Sequence, residues 1–129
     1  MRIIGLGVDL ADIDRVEAVF RKYPRFIERC FTVHEQEYAL RFAKPARRLA
    51  ARFAGKEAVM KSMGTGWRRI RWTDIEITGG GAPRVNMSGN AALRAEMLGV
   101  TNVLVTITHT DTSALVMAVA VGEHERQGV

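Results

Sequence analysis

Apolar and polar positions along this chain repeat with two different periods, and the change from one to the other predicts its elements. From Arg2 to Val8 a short apolar run with two glycines reads as a buried strand, with Asp9 at its exit. Asp12 suits a helix N-cap. Ile13, Val16 and Phe20 follow at i, i+3 and i+7, which predicts a helix through about Lys22 with those three residues turned inward. Pro24 then opens a short basic turn or helix over PRFIERC. Thr32-Val33-His34-Glu35 has the spacing of a capping box, predicting a third helix that ends near Lys44.

The stretch from Pro45 to Gly66 predicts one long helix, with Pro45 at a first helical position and Gly64 and Gly66 stopping the run. At about 100° per residue, Ala46, Leu49, Ala50, Phe53 and Met60 share one narrow stripe, the face expected to be buried. Glu57 falls inside that stripe. A carboxylate facing a core needs a cation, a metal or hydrogen bonds to offset its desolvation. From the helix alone, Lys61 one turn on is the simple partner.

Past Trp72 the period shortens. Asp74 to Thr78 alternates, Gly79 to Pro83 is a loop, and Arg84 to Met87 is a return strand, so a hairpin is predicted. Ser88 or Asn90 caps a helix through Leu98, which Gly99 ends in a left-handed conformation. Val103 to Thr108 and Ser113 to Val121 read as two strands joined by a tight turn over His109 to Thr112. Helices interspersed with hairpins, without regular βαβ alternation, imply a single α+β domain over residues 1–122 with an antiparallel sheet. The tail from Glu123 is expected to fray.

Composition changes the picture in three ways. A chain of 129 residues, 47% apolar and 26% charged, has the length and content of one globular domain. Its formal charge of +5 suits an anionic partner, whether nucleic acid, a phosphorylated small molecule or an acidic protein. Cys30 is the sole cysteine, which rules out an intrachain disulfide and a cysteine-rich zinc site and fits a reducing compartment. The longest apolar run, Ala114 to Val121, is too short to span a bilayer, and Asp9 interrupts the one near the start before it makes a signal-peptide core. A cytoplasmic protein without a membrane partner is expected.

Candidate chemistry is sparse. Gly5 and Gly7 lack the third glycine of a dinucleotide fingerprint, and Gly55-Lys56 is followed by Glu57 where a P-loop needs Ser or Thr. What remains is two carboxylates, Asp9 and Glu57, with Arg52, Lys56 and Lys61, a set able to hold a magnesium–diphosphate unit. A different class is a non-enzymatic basic module binding RNA or another polyanion through Arg47, Arg48, Arg68, Arg69 and Arg71. Its strands carry Ile, Val, Thr and Met rather than base-stacking aromatics, with Trp67 and Trp72 in or near a loop, which speaks against a nucleic-acid partner. On the first helix Arg15, Val19 and Lys22 form a stripe opposite the inward face, continued by Arg25, Phe26 and Arg29 as a basic surface with apolar points.

Five ordered segments resemble one family. They are Gly5-Leu6-Gly7-Val8-Asp9-Leu10; Phe31-Thr32 with Glu35; Arg52-Phe53-Ala54-Gly55-Lys56-Glu57-Ala58 with Lys61 and Gly64-Thr65-Gly66; Asp74-Ile75-Glu76-Ile77; and Ile107-Thr108-His109-Thr110. Together they resemble the holo-[acyl-carrier-protein] synthase family of phosphopantetheinyl transferases over nearly the whole chain. Departures are Gly55 where the family more usually has Ala, Leu6 and Leu10 for isoleucines, and the loop from Gly79 to Ala82. Gly55 costs about 1 kcal/mol of helix propensity relative to Ala.

The resemblance implies an α+β, trimeric enzyme with its sites at subunit clefts. It would transfer the 4′-phosphopantetheine arm of coenzyme A to a serine of apo-acyl carrier protein in fatty acid biosynthesis, releasing adenosine 3′,5′-bisphosphate. It implies Asp9 and Glu57 as ligands of Mg²⁺, Glu57 assisting removal of the serine proton, and Lys61 as a further catalytic group. Arg52, Lys61 and Gly64 would contact coenzyme A, with Lys44, His109 and Thr110 toward its nucleotide end. It also places carrier-protein docking on Arg15, Val19, Lys22, Arg25, Phe26 and Arg29. Under this resemblance a shared cation, rather than Lys61 alone, compensates Glu57.

Overall fold

Asp12 ends the first strand and begins the first helix in one step. In the computed structural model, which describes residues 1–80 and 82–124, β1 spans Arg2–Asp12 and α1 spans Ile13–Lys22, with the Asp12 carboxylate accepting the Arg15 backbone N–H at 3.1 Å. β1 therefore runs four residues beyond the expected Val8 and carries Asp9 inside it. The acid does not stop the strand because its side chain turns toward a helix and finds a lysine there. Nor is β1 buried on both sides: Leu6, Val8 and Leu10 are exposed, while Gly5, Gly7, Asp9 and Ala11 face inward. A strand apolar on both faces reads as buried in sequence even when one face is open.

The two inward glycines have a steric reason. A Cβ on Gly5 would overlap the Ser62 carbonyl oxygen, and one on Gly7 the Ala58 carbonyl oxygen. β1 thus lies backbone to backbone on the long helix α4 (Pro45–Ser62), whose first position is Pro45. α4 packs against β1 and against the strand β5 (Ser113–Gly122), which pairs antiparallel with β1 on one side and with β4 (Val100–His109) on the other. His109 belongs to β4, and the connecting turn is Thr110 to Thr112, one residue shorter than predicted.

α4 is buried nearly all round, not along one stripe. Ala51, Arg52, Ala54, Gly55, Lys56, Ala58, Val59 and Ser62 join Leu49, Ala50 and Met60 in the interior, because the sheet covers one side and shorter elements the other. Those elements are α2 (Pro24–Cys30), α3 (Val33–Ala39) and the hairpin of β2 (Ile75–Thr78) and β3 (Arg84–Met87). α3 ends at Ala39 rather than near Lys44. At Gly55 the missing side chain makes room for Ile77, whose Cδ1 a Cβ would strike, so packing offsets the lost helix propensity.

Beneath the hairpin lies an ion pair. The ammonium of Lys56, wholly buried, meets Glu35 Oε1 at 2.6 Å and donates to the carbonyls of Trp72 and Ile75. Glu35 also accepts the Thr32 N–H in a complete capping box and the Ile77 N–H at 3.0 Å. Three elements, α3, α4 and β2, are thereby tied at one point. An aromatic chain runs beside it, Phe31 to Phe20 to Phe26 to Phe53 to Trp72, the last pair stacked at 4.7 Å. Trp72 is thus core, not loop surface. α5 (Gly89–Leu98) ends at Gly99 in the left-handed region, as expected. The tail beyond His124 lies outside the described residues.

Candidate active site

β1 and α4 bring Asp9, Glu57 and Lys61 together. Lys61 Nζ donates to Asp9 Oδ1 at 3.1 Å and to the Val8 carbonyl at 3.1 Å. Its recorded ion-pair partner is therefore Asp9 across the interface, rather than Glu57 along the helix. Glu57 lies against Asp9 and its carboxyl is pushed up to about 7, first by burial, then by the charge of Asp9 and a hydrogen bond with it, against the opposing pull of Lys61. Two ionised carboxylates side by side repel one another, which a cation between them would relieve. Among the described residues no third acid, histidine or cysteine joins them, so the donor set is two hard oxygen ligands. That set fits a magnesium ion, which takes one or two protein carboxylates and fills its shell with water and phosphate oxygens.

Asp9 and Glu57 open into a cleft of about 510 Å³ whose other walls include Arg15, Val19, Phe20, Phe26 and Phe53. Three of the six predicted docking residues, Arg15, Val19 and Phe26, therefore line the cavity that holds the acid pair. Lys22, Arg25 and Arg29 are exposed on α1 and α2 outside that lining. Phe26 is only half-exposed, being packed on Phe20 and Phe53, so it is a cleft wall as well as a surface point.

The residues expected to bind the cofactor do not form one group. Gly64 follows α4 at φ +65°, one turn beyond Lys61. Lys44, Arg52 and His109 instead line a separate cavity of about 420 Å³ with Arg47, Arg48, Tyr38, Phe42 and Gly80. Thr110 adjoins it, its carbonyl accepting from Arg47 at 2.9 Å. Arg52 is buried, donates to the Gly79 carbonyl at 2.7 Å and lies over the Tyr38 ring, while its Nε has no hydrogen-bond partner among the described residues. Burial holds its pKa below the usual arginine range. A cavity with four such cations and no carboxylate in its wall suits a phosphate ester.

Arg47, Arg48, Tyr38 and Phe42 were not singled out for this cavity from sequence. The available signal was the four-residue spacing of Lys44, Arg48 and Arg52, which puts three cations on one side of the helix start. Arg47 and Arg48 had been grouped with Arg68, Arg69 and Arg71 as a single polyanion surface. The structure separates them: the first two line the cavity at the start of α4, and the other three lie beyond its opposite end.

A model of the 4′-phosphopantetheinyl transferase superfamily matches residues 5–119. A holo-[acyl-carrier-protein] synthase of Solibacter usitatus is 48% identical over 90% of this chain and 94% of its own length. One from Natranaerobius thermophilus is 44% identical over 91% of this chain and 96% of its own. Among solved structures, a holo-(acyl-carrier-protein) synthase from Bacillus anthracis in complex with CoA (3′,5′-ADP) superposes with a TM-score of 0.77 at 26% identity, covering 95% of this chain and 100% of that one.

Proposed function

The chain belongs to the 4′-phosphopantetheinyl transferase superfamily, and from that premise we propose that it moves the 4′-phosphopantetheine arm of coenzyme A onto a serine of apo-acyl carrier protein, with magnesium, in the cytoplasm, for fatty acid biosynthesis. The observation that carries this is the Asp9–Glu57 pair in the wall of a cleft, with Lys61 bonded to Asp9. In the reaction the serine oxygen attacks the phosphorus that bears the pantetheine arm. A new phosphate ester bond forms, the phosphoanhydride bond breaks, and adenosine 3′,5′-bisphosphate leaves. Magnesium bound by Asp9 and Glu57 would supply neutralisation of diphosphate charge.

The chain's own groups do the rest. Glu57 takes the serine proton, directly or through water. Lys61, 55% exposed, is free to swing from Asp9 to a phosphate oxygen. Arg52, Lys44 and His109 hold the nucleotide end, and the Arg52 Nε, without a partner among the described residues, is a donor placed to serve it. Arg15, Val19 and Phe26 receive the acidic carrier protein at the mouth of the cleft, with Lys22, Arg25 and Arg29 steering its approach.

The trimer that the family resemblance implies is part of the same proposal, and two features support assembly with further copies. Arg52 and Glu57 sit about 140° apart around α4, and the two cavities share no lining residue. A coenzyme A molecule touching both groups is best served by a second copy. The open face of the three-stranded sheet supplies an interface: Leu6, Val8, Leu10, Leu104, Leu115 and Met117 are all exposed there. The deciding experiment is incubation with coenzyme A, Mg²⁺ and apo-carrier protein followed by intact mass. Gain of one phosphopantetheine is expected; no gain with a competent carrier would refute the function.

A further inference from the structure

Arg94 stands on α5, half-buried, against the turn that leaves α4. Its Nε donates to the Met63 carbonyl at 3.0 Å, and its Nη2 lies 3.4 Å from the point where a Cβ on Gly64 would stand. The first contact alone is what a basic side chain does at a helix C-terminus. It occupies one of five guanidinium N–H groups. No carboxylate among the described residues is paired with this arginine. The remaining fork is presented over Gly64, which is exposed and has no side chain to cover it. Lys61 lies one turn back on the same helix.

The electrostatics of that place favour a second cation. The C-terminal end of α4 carries the negative pole of the helix dipole, which disfavours an anion. A phosphate held there needs positive charge beyond that of Lys61, whose ammonium is shared with Asp9 and the Val8 carbonyl. We propose that Arg94 is a coenzyme A-binding residue of this chain, its terminal N–H groups meeting a phosphate oxygen of the diphosphate held beside Lys61 and Gly64. This rests on the assignment above of Lys61 and Gly64 to coenzyme A.

The test is calorimetric titration of coenzyme A into the full-length protein, wild type, Arg94→Gln, Arg94→Lys and Lys61→Ala, with inhibition by pantetheine, which has no phosphate, measured alongside. Arg94→Gln should bind coenzyme A about tenfold more weakly, the size of one lost hydrogen bond between charged groups, with Arg94→Lys in between and pantetheine inhibition unchanged. If Arg94→Gln weakens coenzyme A and pantetheine equally, the arginine merely holds the turn and the proposal is overturned. If Lys61→Ala weakens coenzyme A binding while Arg94→Gln leaves it at the wild-type value, Arg94 only caps α4 and the wider function stands. If neither variant alters binding, the assignment of this end of α4 to coenzyme A is wrong and the proposal goes with it.

Discussion

Asp9 and Glu57 each occupy a position where an apolar residue would be sterically acceptable, which makes their chemistry separable from the fold. Asp9→Ala and Glu57→Ala should each lower turnover about a hundredfold or more while retaining the wild-type circular dichroism spectrum. Near-normal transfer by both would remove the assignment. Glu57 also gives a pH signature. Its carboxyl is raised from 4.5 to about 7, so its contribution to stability is full below the unfolded value and is lost as pH rises through the folded one. Metal-free wild type should therefore lose melting temperature relative to Glu57→Gln between about pH 5 and 7.5. A wild-type melting temperature that keeps level with that of Glu57→Gln, or gains on it, as pH rises would contradict the acid-pair geometry. Lys61→Ala should raise the Michaelis constant for coenzyme A, read from initial rates, because it removes a phosphate counter-charge.

At the scale of elements, α4 is held by the buried pair of Glu35 and Lys56. Lys56→Met strands a buried carboxylate and should cost roughly 3–5 kcal/mol in urea unfolding, whereas Lys56→Met with Glu35→Gln should recover much of it; equal losses would mean the pair is not the joint. Neither partner was foreseen as an ion pair. Glu35 is legible as half of a capping box and within a family segment, and Lys56, expected in the magnesium–diphosphate set, is instead wholly buried on Glu35 and two carbonyls, a tertiary placement with no mark in the sequence. Local signals were otherwise reliable: Asp12, Thr32, Pro45 and Gly99 bound helices where expected, because capping depends on neighbours within four residues. What sequence could not give was anything set by tertiary cover. β1 read as buried, α4 as one-faced, and α3 as longer than it is. The cofactor residues read as one set, although the step from Arg52 to Lys61 already turns them to roughly opposite sides of α4.

For the whole molecule, the open sheet face and the two separate cavities bear on assembly. Leu104→Glu, on the exposed sheet face proposed to be covered in the trimer, should give a folded monomer with little transferase activity in sedimentation and rate measurements; a stable, fully active wild-type monomer would exclude the trimer. Reversing the charge of Arg15, Arg25 and Arg29 together should raise the Michaelis constant for carrier protein and flatten its dependence on salt, leaving coenzyme A affinity in place. Unchanged kinetics at low ionic strength would move docking elsewhere. The strand order has a temporal side. β5 is the middle strand of its sheet, and its partner β1 is the first element of the chain. During synthesis at about 5–20 residues per second, β1 has to wait through roughly a hundred further residues before the strand that pairs with it exists. Until then Asp9 has no fixed wall behind it and the sheet face of α4 is bare. The wall that holds the catalytic acid pair is therefore completed only once β5 has been made, and a nascent chain stopped before Ser113 carries every predicted site residue on an unfinished sheet.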